Sequence, residues 1–197
     1  GSDPADPVGT FACRETLGPV TVAAGEYRVR VMLAGTDTLV FDSGALSLTG
    51  GSDLLVSAIA NTGPGAAPIQ LLAADAEGSS LVRDAATPAA LQVVHAAPTV
   101  GDAEVFVSSD SLGLADVELI DSLDYLQVVP SASSRVNVSP AADYRVKVAQ
   151  ADTGADAALI DVAGVALEAG QAYTVVATGG SNGTAAQLLL TPDDDRS

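Results

Sequence analysis

Few side chains in this sequence could do covalent chemistry, and they are not close along the chain. Cys13 could act as a nucleophile only beside a base, and the single histidine, His95, lies far from it in the sequence. His95 ends an apolar stretch, VVHAAP, where a structural hydrogen bond is a simpler role than catalysis. One cysteine cannot form an internal disulfide. We therefore expect a protein that is not an enzyme, and we assign no catalytic residue.

Aspartates offer a second kind of chemistry, the binding of a divalent cation. Asp152, Asp156 and Asp161 resemble a calcium loop only loosely, because the spaced D-x-D-x-D-G pattern and a closing Glu are lacking. The run Asp193, Asp194 and Asp195 is more typical of a solvated tail. Calcium stays open as a ligand, but the sequence assigns no metal-ligating or cofactor-binding residue and no cofactor.

Four cations could bind an acidic ligand or a neighbouring subunit. Arg28, Arg30, Arg145 and Lys147 carry half of the positive charge, since the chain has eight Lys and Arg residues. Pairing with Asp or Glu across neighbouring strands is the plainer expectation for cations on strands.

Two sequons, Asn137-Val-Ser and Asn182-Gly-Thr, fit the acceptor pattern for glycosylation, a short pattern that often occurs by chance. A sugar-binding surface is also disfavoured, because aromatic residues make up only 4% of the chain.

Composition narrows the classes of partner. The 197 residues are 48% hydrophobic and carry a net charge of −17, so a core can form while phosphate backbones are repelled. No apolar run approaches the roughly 20 residues that span a bilayer, and no signal peptide opens the chain. We expect no nucleic acid partner and no membrane insertion. The acidity suits a salty or extracellular setting.

Alternation with period two dominates the chain and predicts an all-β fold of half-buried antiparallel strands. In EYRVRV, apolar and cationic side chains fall on opposite faces. Turn residues separate the strands at intervals near ten residues, which is typical of a sandwich or barrel. The other predicted strands of the second half are 91–96, 103–108, 124–129, 134–139, 158–161, 165–178 and 185–190.

The chain contains an internal repeat. AGEYRVRV at 24–31 has a near-copy, AADYRVKV, at 141–148, and residues 39–60 match 158–178. Asp42 then corresponds to Asp161, and Gly51 to Gly170, each glycine placed for a hairpin turn. Residues 69–75 also correspond to 187–193. We predict two modules: residues 1–80, a linker at 81–87, and residues 88–197.

The first copy has no counterpart of two strands, LQVVHAAP at 91–98 and AEVFVSSD at 103–110. Burying about six inward side chains at about 1.5–3 kcal/mol each contributes about 10 kcal/mol, comparable to the stability of a small domain. Three explanations stay open. The sequence is a trimmed piece of a longer protein, the first module borrows strands from another chain, or it closes with its own N-terminal residues.

The run VVHAAP, VFV, DYLQV, YRVKV and LEAGQAYTVVATG resembles the bacterial family named domain of unknown function 4397. Residues 91–191 match its pattern throughout, and residues 8–75 match its later half. AADY stands where the family has AGxY. The resemblance implies tandem immunoglobulin-like β-sandwiches on secreted or cell-surface proteins, and no established activity.

The sequence thus favours a non-enzymatic structural protein, secreted or on the bacterial cell surface. We expect it to form an oligomer or fibre by β-strand complementation of the incomplete first module, through other copies of itself or a partner strand. The alternative is an extracellular binding or adhesion module for a carbohydrate or protein.

Overall fold

The computed structural model describes residues 7–131, 134–180 and 185–193, and within them the protein is all-β, as predicted. The only helical element in these ranges is a single 3₁₀ turn, Ala155–Ala157. No helix in the described ranges is long and apolar enough to cross a membrane. The chain forms two compact units. The first runs up to Asn61 and includes Ala67–Val82; the second comprises Thr62–Ala66 and the residues from Arg83 onward.

The first unit contains three small antiparallel sheets rather than one large one. The sheets pair β1 with β4, β2 with β3, and β5 with β6 and β7. Their strands are β1 (Gly25–Tyr27), β2 (Arg30–Met32), β3 (Leu39–Asp42), β4 (Leu46–Leu48), β5 (Leu55–Ala60), β6 (Ile69–Ala74) and β7 (Ser79–Val82).

The second unit contains two larger sheets. Its strands are β8 (Ala89–Ala96), β9 (Ala103–Ser109), β10 (Leu114–Leu123), β11 (Val128–Val129), β12 (Val136–Val138), β13 (Ala141–Gln150), β14 (Ile160–Leu167), β15 (Ala172–Thr178) and β16 (Gln187–Asp193). One sheet has the order β10-β9-β13-β14. The other has the order β11-β8-β15-β16, with β12 also paired to β8.

One strand pair departs from the expected antiparallel arrangement. β8 and β15 run parallel along their length, while the other described pairs are antiparallel. A parallel pair needs a crossover connection between its strands. Here the whole four-stranded sheet lies between β8 and β15 in the sequence, and this long separation hid their pairing from analysis of local patterns.

Both sheets of the second unit bury their apolar faces in a single hydrophobic cluster. Alternation places Leu91 and Val93 of β8 inward, and Tyr173 and Val175 of β15 inward beside them. Val148 of β13, from the other sheet, is also fully buried. Each such side chain contributes about 1.5–3 kcal/mol on burial, so this cluster stabilises the second unit.

Two predicted strands are shorter than expected. EYRVRV forms two strands interrupted at Arg28 and Val29, where Val29 N–H donates to the Ser43 hydroxyl at 2.9 Å. The segment 124–129 contributes only β11, because the Gln127 N–H donates to the Asp124 carbonyl and forms a turn. The N–H groups of Val29 and Gln127 are therefore satisfied by a side chain and by a turn, and not by a neighbouring strand.

Two strands were not predicted at all. β10 follows a turn that begins at Asp110, and its exposed positions obscure the alternation. β7 lies at the junction of the predicted first module and linker, and it pairs with β6. The observed boundary between the two units falls between Val82 and Arg83.

Candidate functional site

Each unit holds an arginine against an aspartate of a neighbouring strand. In the first unit, Arg28 Nε and Nη2 donate to the two carboxylate oxygens of Asp42, each at 2.6 Å. In the second unit, Arg145 makes the same two hydrogen bonds to Asp161, again at 2.6 Å. The prediction that these cations pair across strands is confirmed, so the protein's own carboxylates engage both guanidinium groups.

Asp42 is the more enclosed of the two acids, with 12% of its side chain exposed against 36% for Asp161. It also contacts Arg30 Nε at 3.4 Å and accepts a hydrogen bond from Gly44 N–H at 3.0 Å. The hydrogen bond from Arg28 lowers the pKa of Asp42 below its usual value, while burial opposes that shift. The carboxylate therefore stays ionised and ties the two strands together.

The strand registers around these pairs also agree. In β2 and β3, Arg30 lies opposite Asp42, and in β13 and β14, Lys147 lies opposite Asp161. The sequence repeat aligns Arg30 with Lys147 and Asp42 with Asp161. Both strand pairs therefore place a cation directly opposite an aspartate.

A tyrosine in each unit makes the same kind of contact to the chain before it. Tyr27 Oη donates to the Ala23 carbonyl, and Tyr144 Oη donates to the Ser139 carbonyl, each at 2.7 Å. The acceptor lies four residues before Tyr27 and five before Tyr144. The pairing of β13 with β14 has a register irregularity between Ala141 and Tyr144, whereas the pairing of β1 with β4 is regular.

A glycine turn precedes a hairpin in both units. Gly51 and Gly170 adopt φ of +83° and +69°, a conformation that side-chain-bearing residues rarely adopt. The turn leads into β5 and β6 in the first unit and into β15 and β16 in the second. The predicted positive φ of both glycines is confirmed, but the predicted hairpin turns are wrong, because the strands that flank each glycine, β4 and β5 or β14 and β15, belong to different sheets.

The two units differ at the edges of these strands. In the second unit, β15 lies between β16 and β8, and β13 lies between β14 and β9. In the first unit, β5 pairs only with β6, and β2 pairs only with β3, within the part of the chain that the structure describes. We call these two unpaired sides, of β5 and of β2, the open edges.

The backbone of β5 offers hydrogen bonds at its open edge. Asn61 N–H donates to the Pro68 carbonyl at 3.0 Å. Asn61 and Pro68 continue the β5–β6 register, and they are therefore a hydrogen-bonded pair of this ladder. Since such pairs alternate along an antiparallel ladder, the N–H and C=O groups of Val56, Ala58 and Ala60 face away from β6. Unpaired groups of this kind are a template for another strand.

Apolar side chains at the open edge are also exposed. Val56 is 51% exposed, whereas Val175, the residue aligned with it in the sequence, is 3% exposed. Leu54 is 37% exposed against 5% for its counterpart Tyr173, and Leu55 is 71% exposed. The first unit therefore leaves in solvent an apolar strand face that the second unit buries.

His95 and Cys13 occupy different environments. His95 is fully buried; its Nε2 lies 2.6 Å from the Gly101 carbonyl, and its Nδ1 accepts from Ala97 N–H. Because a backbone N–H can only donate, the ring proton lies on Nε2. This imidazole holds the end of β8, as expected for a structural histidine. Cys13 is an exposed free thiol in the first unit.

The aspartates singled out as a calcium loop have separate roles. Asp156 lies in the 3₁₀ turn, Asp152 lies in the turn before it, and Asp161 is engaged by Arg145. In the described ranges, no three His, Cys, Asp or Glu residues group closely enough to hold a metal ion.

Asp193 is part of a strand and not of a solvated tail. It ends β16, accepts a hydrogen bond from Thr174 Oγ1 at 3.0 Å, and pairs with Arg135 Nη2 at 2.7 Å. Asp194 and Asp195 lie outside the described residues. Of the two sequon asparagines, Asn137 is exposed on β12, and Asn182 also lies outside the described residues.

Two carboxylate contacts of the second unit were missed from sequence. Asp116 of β10 accepts from Lys147 Nζ at 2.6 Å. Asp143 accepts from Ser109 Oγ at 2.6 Å and from Ser111 N–H at 2.8 Å, and these hydrogen bonds lower its pKa to about 2. The hydroxyl-rich turn SSDS between β9 and β10 was the available signal for the second contact, which fastens that turn to β13.

A shallow depression of about 520 Å³ lies in the first unit beside the start of β5. Its lining includes Asp53, Leu55, Asp75 and Glu77, and no aromatic side chain. Asp75 Oδ1 already accepts the N–H groups of Glu77 and Gly78, so this carboxylate holds a turn. The open edges are therefore the more distinctive feature of this unit.

Together these observations define an all-β protein whose distinguishing feature is a pair of unpaired strand edges in its first unit. The protein belongs to the family described as Domain of unknown function (DUF4397), whose model matches residues 89–197, more than half of the chain. The predicted resemblance is confirmed over that range. No curated protein and no solved structure matches the chain.

Proposed function

We propose that this protein is a non-enzymatic structural module, secreted or displayed on a bacterial surface, that joins other copies by β-strand complementation at its first unit. The single observation that carries the proposal is the open edge of β5, which exposes backbone groups and apolar side chains. The equivalent strand of the second unit, β15, is paired on both sides.

The first unit is, in this proposal, a shorter tandem copy of the second, and both are immunoglobulin-like sandwiches. Three agreements support the copy: the Arg–Asp pairs, the strand registers and the tyrosine hydrogen bonds. The two sheets of the second unit, which share one hydrophobic cluster, support the sandwich.

Copies join when β5 of one chain pairs antiparallel with β5 of another. Centred on Ala58, this arrangement pairs Val56 of each chain with Ala60 of the other and satisfies the outward backbone groups of both strands. It also removes part of the exposed Leu55 and Val56 surface from water. The open edge of β2 supplies a second junction, so growth continues past a dimer to an oligomer or fibre.

The test is sedimentation of the full chain over a range of concentrations in physiological salt, which screens the repulsion of a net charge of −17. Ala58→Pro removes the outward N–H without touching the bonds to β6, and proline is tolerated on such an edge. Ala58→Thr is the matched control, since it keeps the N–H. We expect the wild type and Ala58→Thr to grow beyond a dimer, and Ala58→Pro, which keeps only the junction at β2, to stop at a dimer. A wild type that remains monomeric at all concentrations contradicts self-assembly.

A further inference from the structure

In the second unit, β15 and β13 correspond to β5 and β2, and both are paired on the side that is open in the first unit. β8 pairs with β15 in parallel, from Ala90 opposite Ala172 to Ala96 opposite Thr178. β9 pairs antiparallel with β13. Residues 89–123, which contain β8, β9 and β10, therefore cover the counterparts of both open edges with one continuous segment.

Charge gives a second and independent indication of which segment could cover the open edges. Lys147 Nζ lies 2.6 Å from Asp116 of β10, and only 13% of the lysine side chain is exposed. Its counterpart in the first unit, Arg30, contacts Asp42 at 3.4 Å and is 46% exposed. A third strand that carried a carboxylate to this position would meet an accessible guanidinium group.

We propose that the first unit accepts, from outside residues 1–197, a three-strand segment with the alternating apolar pattern of residues 89–123 and an acidic residue placed to face Arg30. This inference rests on the proposed function only in using the same open edges. The first strand of the segment runs parallel to β5, and the second runs antiparallel to β2.

Strand counting excludes residues 89–123 of this chain, or of another copy of it, as the donor. Each chain carries one copy of residues 89–123, and that copy already pairs within its own second unit. If it moved to the first unit of another molecule, it would open as many edges as it closed. Exchange between copies therefore gives no net gain in pairing, whereas a separate donor does.

The donor also competes with pairing between copies. A β5–β5 contact covers one edge, while the three-strand segment covers both edges and packs on the exposed face that includes Leu54 and Val56. Complementation should therefore dissociate the self-assembled form.

The experiment uses a synthetic peptide of residues 88–123 as the probe and the full chain as the receptor. We expect saturable binding with one peptide per chain, together with slower amide exchange at residues 54–60 and 28–33. The Ala58→Pro chain should bind at least about tenfold more weakly, a difference of about 1.4 kcal/mol, while Ala58→Thr should bind like the wild type.

A separate experiment tests the contact between the acidic residue of the peptide and Arg30. A peptide with Asp116→Asn should bind the wild type about three- to tenfold more weakly, and this difference should vanish with the Arg30→Gln chain. Equal binding of both peptides to the wild type would contradict the assigned role of Arg30.

Two results overturn the inference: absence of peptide binding to a folded wild-type chain, and equal binding to the Ala58→Pro chain. The second result means that the peptide exchanges into the second unit, and amide exchange at residues 172–178 then changes instead. If copies do not associate but the peptide binds at β5, self-assembly fails and this inference stands. If Ala58→Pro limits association to a dimer and the peptide does not bind, self-assembly stands and this inference fails.

Discussion

Arg28 donates two hydrogen bonds of 2.6 Å to the carboxylate of Asp42, at the point where the chain is interrupted between β1 and β2. Arg28 lies between β1 and β2, whereas its counterpart Arg145 lies inside the continuous strand β13. The two Arg–Asp pairs therefore have different structural roles. In the first it bridges a gap between two short sheets, and in the second it reinforces strands that are already paired.

The first prediction concerns the acids of these pairs. Asp42→Asn should lower the unfolding temperature of the first unit by about 5 °C, because Asp42 is enclosed and contacts two arginines. Asp161→Asn, the matched control, should lower that of the second unit by less than about 2 °C, since its pair is solvent-exposed. Calorimetry of the two variants checks this. An equal effect would show that the enclosure of Asp42 does not matter.

The second prediction concerns acid stability. The pKa of Asp143 is about 2 in the folded protein, below the ordinary value of 3.8, because Ser109 and Ser111 donate to it. A lowered folded pKa means that its stabilising effect is complete above the ordinary value and is lost as the pH falls from about 4 to 2. The free energy of unfolding of the wild type, measured with urea, should therefore decrease as the pH falls across that window.

The Asp143→Asn variant provides the control for this titration. It should be less stable than the wild type at pH 6, and the difference should shrink toward pH 2, where the wild-type carboxylate is itself protonated. If both proteins lose stability with the same slope between pH 4 and 2, Asp143 does not contribute to the acid response.

The third prediction concerns His95. His95→Ala should destabilise the second unit by about 2–4 kcal/mol, because it leaves a cavity and removes the partner of the Gly101 carbonyl. Asn137→Ala, at an exposed position on the adjacent strand β12, should change stability by no more than about 0.5 kcal/mol. Both values come from urea unfolding. A neutral His95→Ala variant would rule out its structural role.

The fourth prediction concerns amide exchange in β5, measured on a monomeric, dilute sample. The amides of Ser57 and Ile59 face β6 and should exchange slowly, while those of Val56 and Ala58 face the open edge and should exchange rapidly. In β15, which is paired on both sides, all amides from Tyr173 to Ala177 should be protected. Uniform protection along β5 in the monomer would mean that its edge is already covered.

The sequence by itself determined the all-β class, the membership of the second half in its family, and the pairing of the strand cations with acids. These properties follow from local chemistry, because a strand repeats its side-chain pattern every two residues and a cation on a strand meets the strand beside it. The positive φ of Gly51 and Gly170 was predictable for the same reason.

Only the tertiary structure decided which edges are paired. The parallel contact of β8 with β15, the docking of β10 through Asp116 and Lys147, and the break at Arg28 depend on partners distant in sequence. A strand's alternation shows which face is apolar but does not show which neighbour lies beside its backbone. The sequence showed that the first copy lacks two strands, but only the folded chain showed that β5 and β2 are the strands whose edges are left open.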